Sequence, residues 1–296
     1  MDSEAAGAID DLVRAERLPP GFGDVVERLH RPLADGIVQR HDRLGRALVV
    51  GLCGPQGSGK STAVAVLRIL LGGRGLRTAV LSIDDVYLTR AERMALSERV
   101  HPLLATRGPP GTHDTALLED VVSRLLHGES LALPSFDKAT DDRRPASDWP
   151  WFEGPADVVL LEGWCVGAVP QAGERLAAPV NDLERDEDPD GVWRGFGNDA
   201  LAAYQPLFQQ IDWLIQFRPP DFETVVRWRQ EQEARLRSRV AGLRDARVMT
   251  DAEVVRFVQH YERLTRHIAD EMPSRADVVV DLGPGREAKR SEVRRD

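Results

Sequence analysis

Residues 54–62 read GPQGSGKST, directly after the apolar run ALVVGLC and directly before AVAVLRILL. The segment matches the pattern G-x-x-x-x-G-K-[ST], with Gly54, Gly59, Lys60 and Ser61 at the fixed positions. An apolar strand before the loop and an apolar helix after it form the context in which this pattern binds phosphate. The chain is therefore expected to contain a P-loop, which holds a nucleoside triphosphate.

The chemistry of this loop follows from its residue types. Glycines allow successive backbone N–H groups to point into one anion-sized hollow at the start of a helix. Lys60 is expected to reach the β- and γ-phosphates, and Ser61 to place its hydroxyl on Mg²⁺. A glycine turn in an ordinary strand-helix unit is the alternative. The residues expected to bind ATP here are Gly54, Pro55, Gln56, Gly57, Ser58, Gly59, Lys60, Ser61 and Thr62.

The apolar spacing predicts alternating helices and strands. Helices are predicted over much of 1–45, after the P-loop as far as residue 72, over Thr115–Leu126 with Asp114 as its N-cap, over about 222–243 and over 251–267. Strands are predicted before the P-loop, up to Ile83, and at 157–164, 211–217 and 276–282. Because strands alternate with helices, we expect an α/β fold with a mainly parallel sheet between two helical layers.

Composition narrows the class of protein. The 296 residues are 42% hydrophobic, enough to bury the core of one large domain. A net charge of −9 argues against broad binding to nucleic acid or anionic membranes, because both require a cationic surface. Cys53 and Cys165 lack the spacing of a zinc site or a disulfide framework. With no leader or membrane-length apolar run, a cytoplasmic protein is expected; nothing indicates its oligomeric state.

Two strands end in carboxylates. The second predicted strand runs into Asp84 and Asp85, where a carboxylate can take the proton of an attacking hydroxyl. Capping of the next turn is the alternative for one of the two. The apolar strand DVVLLEGW carries Glu162 at its end, as a Walker-B segment does, within reach of Mg²⁺. The catalytic candidates are Lys60, Asp84, Asp85 and Glu162, and the metal candidates are Ser61 and Glu162.

Arginines recur along the predicted helix at about 222–243. When such a helix closes as a lid, arginines over the phosphates stabilise the charge on the transferring group. Arg227 and Arg229 are the candidates for ATP contacts, while many of the others are expected to form surface ion pairs.

Several segments together resemble the P-loop D-glycerate 3-kinases of plants, fungi and related bacteria. These segments are GPQGSGKST, SIDDVYLT, RGPPGTHD (107–114), LPSFDKATDDRRP (133–145), WPWFEGPADVVLLEGW (149–164), VVRWRQEQEARLR (225–237) and MTDAEVVRFVQHYERLT (249–265). The resemblance covers about 48–282, and the core is similar to uridine kinase, phosphoribulokinase and bacterial pantothenate kinase. It implies phosphorylation of D-glycerate by ATP at the 3-hydroxyl. It also implies that Asp84 is the base, with Asp85 as the second candidate.

On the substrate side, the resemblance points to Arg107, His113, Asp114 and Lys138. Glycerate is a small anion, so its pocket needs a cation for the carboxylate and a base beside the attacking hydroxyl. Arg143 and Arg144 are further cations, with Asp141 and Asp142 as alternative partners at the surface. His113 has the alternative role of ordering its loop. The chain departs from the plant and fungal pattern in its acidic insertion and in VWRGFGND (192–199).

Other functions remain as alternatives. The N-K-x-D motif of GTPases and the L-S-G-G-Q-like motif of transporter ATPases do not occur in the sequence. A related kinase acting on a nucleoside, pantothenate or a sugar is the first alternative. The second is a regulatory ATP-binding module, against which Asp84 and Asp85 argue, because a protein that only holds ATP needs no base.

The expected domain organisation is an N-terminal helical segment at 1–45 and a P-loop kinase domain at 46–285. Within the domain we expect an acidic insertion at about 171–198 and the Arg-rich lid helix. The charged run DLERDEDPDG (182–191) is interpreted as a solvated surface loop rather than a metal site. A disordered tail is expected at 286–296.

Overall fold

The computed structural model describes residues 3–239 and 248–293. Its α-helices are α1 (Ser3–Glu16), α2 (Phe22–Val25), α3 (Arg31–Leu44), α4 (Lys60–Gly72), α5 (Arg90–Arg99), α6 (Thr115–Leu126), α7 (Asp182–Glu187), α8 (Val192–Ala200), α9 (Gln205–Phe208), α10 (Phe222–Arg239) and α11 (Asp251–Glu271). A π-helical turn, Val26–His30, joins α2 to α3. Short 3₁₀ turns lie at Ile83–Val86, Pro102–Ala105, Ala146–Asp148, Gly173–Leu176, Leu201–Tyr204 and Met272–Ser274.

The strands form one large sheet and two short ribbons. They are β1 (Leu48–Cys53), β2 (Thr78–Ser82), β3 (Leu131–Ala132), β4 (Phe136–Asp137), β5 (Asp142–Arg143), β6 (Trp151–Phe152), β7 (Val158–Gly163), β8 (Trp213–Arg218), β9 (Val278–Leu282) and β10 (Ala288–Val293). The large sheet has the order β10-β9-β8-β1-β7-β2. All its neighbours are parallel except β10, which is antiparallel to β9. The ribbons pair β3 with β6 and β4 with β5.

This strand order brings the predicted motifs to one edge of the sheet. The P-loop follows β1, Glu162 lies near the end of β7, and Asp84 and Asp85 follow β2. Since β7 lies between β1 and β2, the carboxyl ends of three neighbouring strands present these groups side by side. Ligands of parallel α/β sheets bind at this edge.

Successive residues of each central strand point to opposite faces of the sheet, and each face is buried by helices. On one face, Val49 and Leu161 share a core with α6, α9 and α11. On the other face, Val50 and Leu160 share a core with α3, α4 and α10. The expected three-layer α/β fold is thereby confirmed. Ile9 of α1 belongs to the second core, and α1 contacts α4, so this N-terminal helix packs on the helical layer of that face. Among the described helices, none combines the length and the apolar character required to cross a bilayer.

Two expectations from the sequence are wrong. The predicted disordered tail contains β10, whose charged side chains are tolerated because it is an edge strand with one neighbour.

The predicted solvated loop at 182–191 contains α7, and two of its carboxylates are fully buried. Glu184 pairs with Arg263 at 2.6 Å and Asp188 with Arg194 at 3.0 Å. A carboxylate can be buried when a cation pairs with it. The sequence of an acidic run does not show whether such a partner exists.

The predicted helix at 222–243 corresponds to α10 as far as Arg239, and its last residues lie outside the described part of the chain. The helix predicted at 251–267 extends one turn further, to Glu271. The predicted helix over Thr115–Leu126 is present with these bounds, and Asp114 caps it.

Candidate active site

The P-loop joins β1 to α4 through a backbone that requires glycine. Gly57 has a φ of 77°, in the left-handed region, and a β-carbon there would lie 2.6 Å from Cβ of Trp228 in α10. The backbone N–H groups of Gly57 and Gly59 have no hydrogen-bond acceptor among the described residues. The loop thus presents free N–H donors at the N-terminus of α4, where an anionic phosphate is stabilised.

Glu162 lies beside the first turn of α4, because β7 pairs with β1 and places Glu162 opposite Leu52. The hydroxyl of Ser61 donates to Oε1 of Glu162 at 3.1 Å. Nζ of Lys60 lies 3.8 Å from Oε2, a buried oxygen that accepts no hydrogen bond among the described residues.

A hydroxyl and a carboxylate with a free oxygen are the hard ligands that Mg²⁺ prefers, so this pair fits the ion. The described residues contain no cluster of three or more His, Cys, Asp or Glu side chains able to hold a metal. The remaining ligands would be phosphate oxygens and water, which is usual for Mg²⁺ at nucleotides.

Asp84 stands in the turn after β2 with both carboxylate oxygens occupied. Nζ of Lys138 lies 2.7 Å from Oδ2, and the hydroxyl of Tyr87 donates to Oδ1 at 2.7 Å. Burial acts to raise the pKa of Asp84, but the positive charges of Lys138 and Lys60 outweigh it and hold the pKa well below its usual range. Asp84 is therefore ionised throughout the physiological pH range.

Asp85, the next residue, has a different hydrogen-bond partner. Its Oδ1 accepts a hydrogen bond from the backbone N–H of Phe136 in β4 at 3.3 Å. Burial raises the pKa of Asp85 to about 6, and the negative charge of Asp84 adds to the increase. The two adjacent carboxylates therefore differ in basicity because Asp84 accepts a hydrogen bond from Lys138, whereas Asp85 accepts one from a backbone N–H.

The loop at 107–114 is packed against α11. The hydroxyl of Tyr261 donates to the carbonyl of Arg107 at 2.9 Å. A β-carbon at Gly108 would lie 2.2 Å from that hydroxyl oxygen, so the loop approaches the ring as closely as glycine allows. The guanidinium of Arg107 pairs with Asp141 and lies over the ring of Phe136, at 5.7 Å from its centroid.

His113 is buried in the same loop. Its ring stacks on Tyr87 with 4.8 Å between centroids, and its Nδ1 is 2.7 Å from the hydroxyl of Tyr204. Nε2 is buried and has no hydrogen-bond partner among the described residues. Burial lowers the pKa of His113 to about 4, so the imidazole is neutral at physiological pH.

Asp114 combines two contacts. One carboxylate oxygen accepts from the backbone N–H of Leu117 at 3.0 Å and caps α6, as the sequence predicts. The other pairs with Arg143 at 3.1 Å, and Arg143 also donates to the carbonyl of Tyr87 at 2.9 Å. The alternative partners considered for Arg143, Asp141 and Asp142, are not its ion-pair partners among the described residues.

The structure thus brings together most of the residues selected from the sequence. Lys60, Glu162, Asp84 and Lys138 form a connected group of charges at the carboxyl edge of the sheet.

Arg227 and Arg229 do not belong to this group of charges, because each has a partner within α10. Arg227 donates to Thr224 within α10 at 2.6 Å, and Arg229 pairs with Glu233 at 2.6 Å. Neither guanidinium is hydrogen-bonded or ion-paired to a described residue of the P-loop.

Sequence reasoning missed three residues that contact site residues. Tyr87 and Trp228 lie inside the segments SIDDVYLT and VVRWRQEQEARLR, so their position in those segments was an available signal. Arg286 donates to the carbonyl of Gly57 at 2.6 Å. It lies in the segment expected to be disordered, and nothing in the local sequence indicates its role.

One protein-family model, described as methylmalonyl Co-A mutase-associated GTPase MeaB, matches residues 26–89. This stretch contains the P-loop and β2 but ends before β7, so it covers less than half of the chain. The match therefore concerns the nucleotide-binding unit rather than the whole protein.

Longer matches are with kinases. The chain is 35% identical over 228 residues to the uncharacterized kinase mug58 of Schizosaccharomyces pombe, which covers 73% of this chain and 79% of that protein. It is 34% identical over 227 residues to the chloroplastic D-glycerate 3-kinase of Arabidopsis thaliana. That match covers 72% of this chain and 46% of the plant protein, so the chain spans less than half the length of that relative.

Solved structures agree with these matches. The D-glycerate 3-kinase from Cryptococcus neoformans var. grubii has a TM-score of 0.75 and 28% identity, covering 90% of this chain and 99% of that one. The YGR205w protein has a TM-score of 0.70 and 27% identity, covering 89% and 96%. The chain is therefore an ATP-dependent P-loop kinase that belongs to the D-glycerate 3-kinase family.

Proposed function

We propose that this kinase transfers the γ-phosphoryl group of MgATP to the 3-hydroxyl of D-glycerate, giving 3-phosphoglycerate and ADP. The contact between Asp84 and Lys138 carries the proposal, because it puts a base and a cation side by side at the carboxyl edge of the sheet. A substrate that has both a hydroxyl and a carboxylate matches this pair. The plant and fungal relatives named D-glycerate 3-kinase support the same substrate.

Asp84 is proposed to accept the proton of the attacking hydroxyl. Its contact with Tyr87, a buried and stacked side chain, holds the carboxylate in one orientation. Lys138 is more than half exposed, so it can leave Asp84 and pair with the substrate carboxylate. Arg107 is the second cation proposed for that carboxylate, and His113 is proposed to donate a hydrogen bond to the substrate.

The nucleotide is proposed to bind along the P-loop, with Lys60 at its β- and γ-phosphates. Ser61 and Glu162 are proposed to hold Mg²⁺. The ion neutralises charge that develops on the phosphate oxygens. Oε2 of Glu162, buried and without a hydrogen-bond donor among the described residues, supports the assignment.

We also propose that α10 is the lid helix of a single kinase domain. Trp228 of α10 packs against Gly57 of the P-loop, so a change in the loop would be felt by the helix. Arg227 and Arg229 would have to exchange their present partners, Thr224 and Glu233, for phosphate oxygens. The cytoplasmic location stays a prediction, supported by two free and buried cysteines.

A coupled assay of ADP formation tests the substrate. D-Glycerate, L-glycerate, glycerol, uridine, pantothenate and ribulose 5-phosphate would be compared, with the Lys60→Ala variant as the control for ATP turnover by contaminants. We expect D-glycerate to exceed glycerol by tens- to hundreds-fold in kcat/KM, because glycerol leaves the pocket cation unpaired. Phosphorus NMR identifies the product.

Turnover of uridine, pantothenate or ribulose 5-phosphate without turnover of D-glycerate would refute the substrate while leaving the kinase fold intact. A 2-phosphoglycerate product would keep the substrate and overturn the proposed orientation. A Lys60→Ala variant with wild-type activity would show that the measured turnover does not use the P-loop.

A further inference from the structure

We propose that Arg286 is a positioning residue of the P-loop: its guanidinium holds the carbonyl of Gly57 outward and so keeps the loop in the conformation that binds phosphate. Nε of Arg286 donates to this carbonyl oxygen at 2.6 Å, across 229 positions of sequence. Arg286 lies in the turn between β9 and β10, so the segment after the last parallel strand reaches the phosphate site.

The conformation of one peptide unit explains the role. In a trans peptide the C=O and the following N–H point in opposite directions. With the Gly57 carbonyl on Arg286, the N–H of Ser58 points into the loop, where it donates to the carbonyl of Pro55 at 3.2 Å. Rotation of this peptide unit would break both hydrogen bonds and turn the carbonyl oxygen of Gly57 into the loop, and glycine resists that rotation less than other residues.

Arg286 is itself held in place from α10. Its Nη2 pairs with Glu231 at 2.7 Å, and its guanidinium lies over the ring of Trp228, 5.3 Å from the centroid. The indole N–H of Trp228 donates to the carbonyl of Pro284 at 2.7 Å, which fixes the turn that carries Arg286. One side chain thus connects the P-loop, the proposed lid helix and the turn after β9.

The backbone of Arg286 is fixed by the hairpin turn between β9 and β10. Its N–H donates to the carbonyl of Gly283 at 2.9 Å, and the N–H of Gly283 donates to the carbonyl of Glu287 at 2.8 Å. The φ of Arg286 is 69°, in the left-handed region, which residues other than glycine seldom adopt. Such conformations persist where the surroundings fix them, and they concentrate at functional sites. The turn thus fixes the place from which the side chain of Arg286 reaches the carbonyl of Gly57.

The test measures MgATP binding by isothermal titration calorimetry without an acceptor substrate, so it does not depend on glycerate being the substrate. Arg286→Met keeps an apolar stem over Trp228 but loses the donor to Gly57. We expect about tenfold or weaker MgATP affinity, the scale of a lost charge-assisted hydrogen bond. Arg286→Lys retains a cationic donor and is expected to recover part of the affinity.

Arg46→Met is the matched control. Arg46 also donates to a backbone carbonyl, that of Ala47 at 2.7 Å, and pairs with a carboxylate, that of Asp212 at 2.5 Å. Because it precedes β1, it lies at the opposite edge of the sheet from the P-loop. Its loss is expected to leave MgATP affinity within about twofold of wild type, as removal of an exposed pair changes little.

Thermal unfolding without nucleotide establishes that each variant is folded. Should Arg286→Met fail to fold, Arg286→Leu carries the same expectation, because it too lacks a donor. Wild-type MgATP affinity in folded Arg286→Met or Arg286→Leu would overturn the proposal. So would an equal loss of affinity in Arg46→Met, since the effect would then be one of general stability.

Discussion

The ammonium nitrogen of Lys138 lies 2.7 Å from Oδ2 of Asp84, so the proposed base of this kinase is ion-paired when no substrate is present. The pairing lowers the pKa of Asp84, in opposition to the burial that would raise it. A carboxylate held this way is ionised at any physiological pH but is a weak proton acceptor. Transfer of Lys138 to a substrate carboxylate would increase the basicity of Asp84 when the acceptor binds.

The first prediction concerns this pair. In Lys138→Met, burial continues to raise the pKa of Asp84 while its nearest positive charge is gone, so that pKa moves up. Protonation of the base in the free enzyme then begins at a higher pH, so the acid limb of the kcat/KM profile for the acceptor should shift upward by about one pH unit or more. The measurement is kcat/KM for D-glycerate at saturating ATP, from pH 8 down to the lowest pH at which both proteins stay folded.

Lys289→Met serves as the control, because Lys289 lies on the exposed edge strand β10. The acid limb of the pH–rate profile of Lys289→Met should coincide with that of the wild type. An unshifted acid limb in Lys138→Met would mean that Asp84 does not limit the rate on the acid side.

The second prediction separates the two adjacent carboxylates. Asp84→Asn should lower kcat by about 10²-fold or more, because general-base assistance is lost, while MgATP affinity stays within a few-fold. Asp85→Asn should have the smaller effect on kcat, since Asp85 faces the backbone of Phe136. Steady-state kinetics of both variants decides the matter. An inactive Asp85→Asn beside a fully active Asp84→Asn would assign the base to Asp85.

The third prediction concerns the metal. Glu162→Gln keeps the size of the side chain but removes the charge beside Ser61, so the Mg²⁺ concentration for half-maximal activity should rise by about tenfold. The measurement is a Mg²⁺ titration at fixed ATP. If the variant shows a wild-type Mg²⁺ dependence with reduced kcat, Glu162 acts on Lys60 rather than on the ion.

The fourth prediction concerns the insertion. Glu184→Gln leaves the buried guanidinium of Arg263 without its counter-charge, so we expect a loss of about 3–5 kcal/mol in the free energy of unfolding. Asp186→Asn breaks the exposed pair with Arg185, and should cost no more than about 1 kcal/mol. Urea unfolding of both variants provides the comparison. Equal losses would contradict a structural role for Glu184.

Local patterns were sufficient to predict much of the fold. The helix over Thr115–Leu126 and its Asp114 cap depend on spacing and capping within one segment, and both are present. The P-loop and Glu162 come together because each follows a strand of a parallel sheet, which the alternation of strands and helices already implies.

The remaining features depend on partners far apart in sequence. The pair formed by Arg263 and Glu184 joins residues 79 positions apart, and an acidic run looks the same whether it is solvated or paired. Arg229 is a second case: it pairs with Glu233, one helical turn away, when no nucleotide is present, and its phosphate contact stays a prediction. No local property of either segment shows which partner each charged side chain has.

The contact between Tyr204 and His113 bears on which ring nitrogen of His113 carries the proton. The hydroxyl of Tyr204 accepts from the backbone N–H of Gly111 at 2.9 Å, and Nδ1 of His113 is the other partner, at 2.7 Å. A buried hydroxyl must donate its own hydrogen, and Nδ1 is the acceptor within its reach among the described residues. The contact thereby favours the Nε2–H tautomer of His113, a neutral donor whose ring is oriented by a tyrosine 91 positions further along the chain.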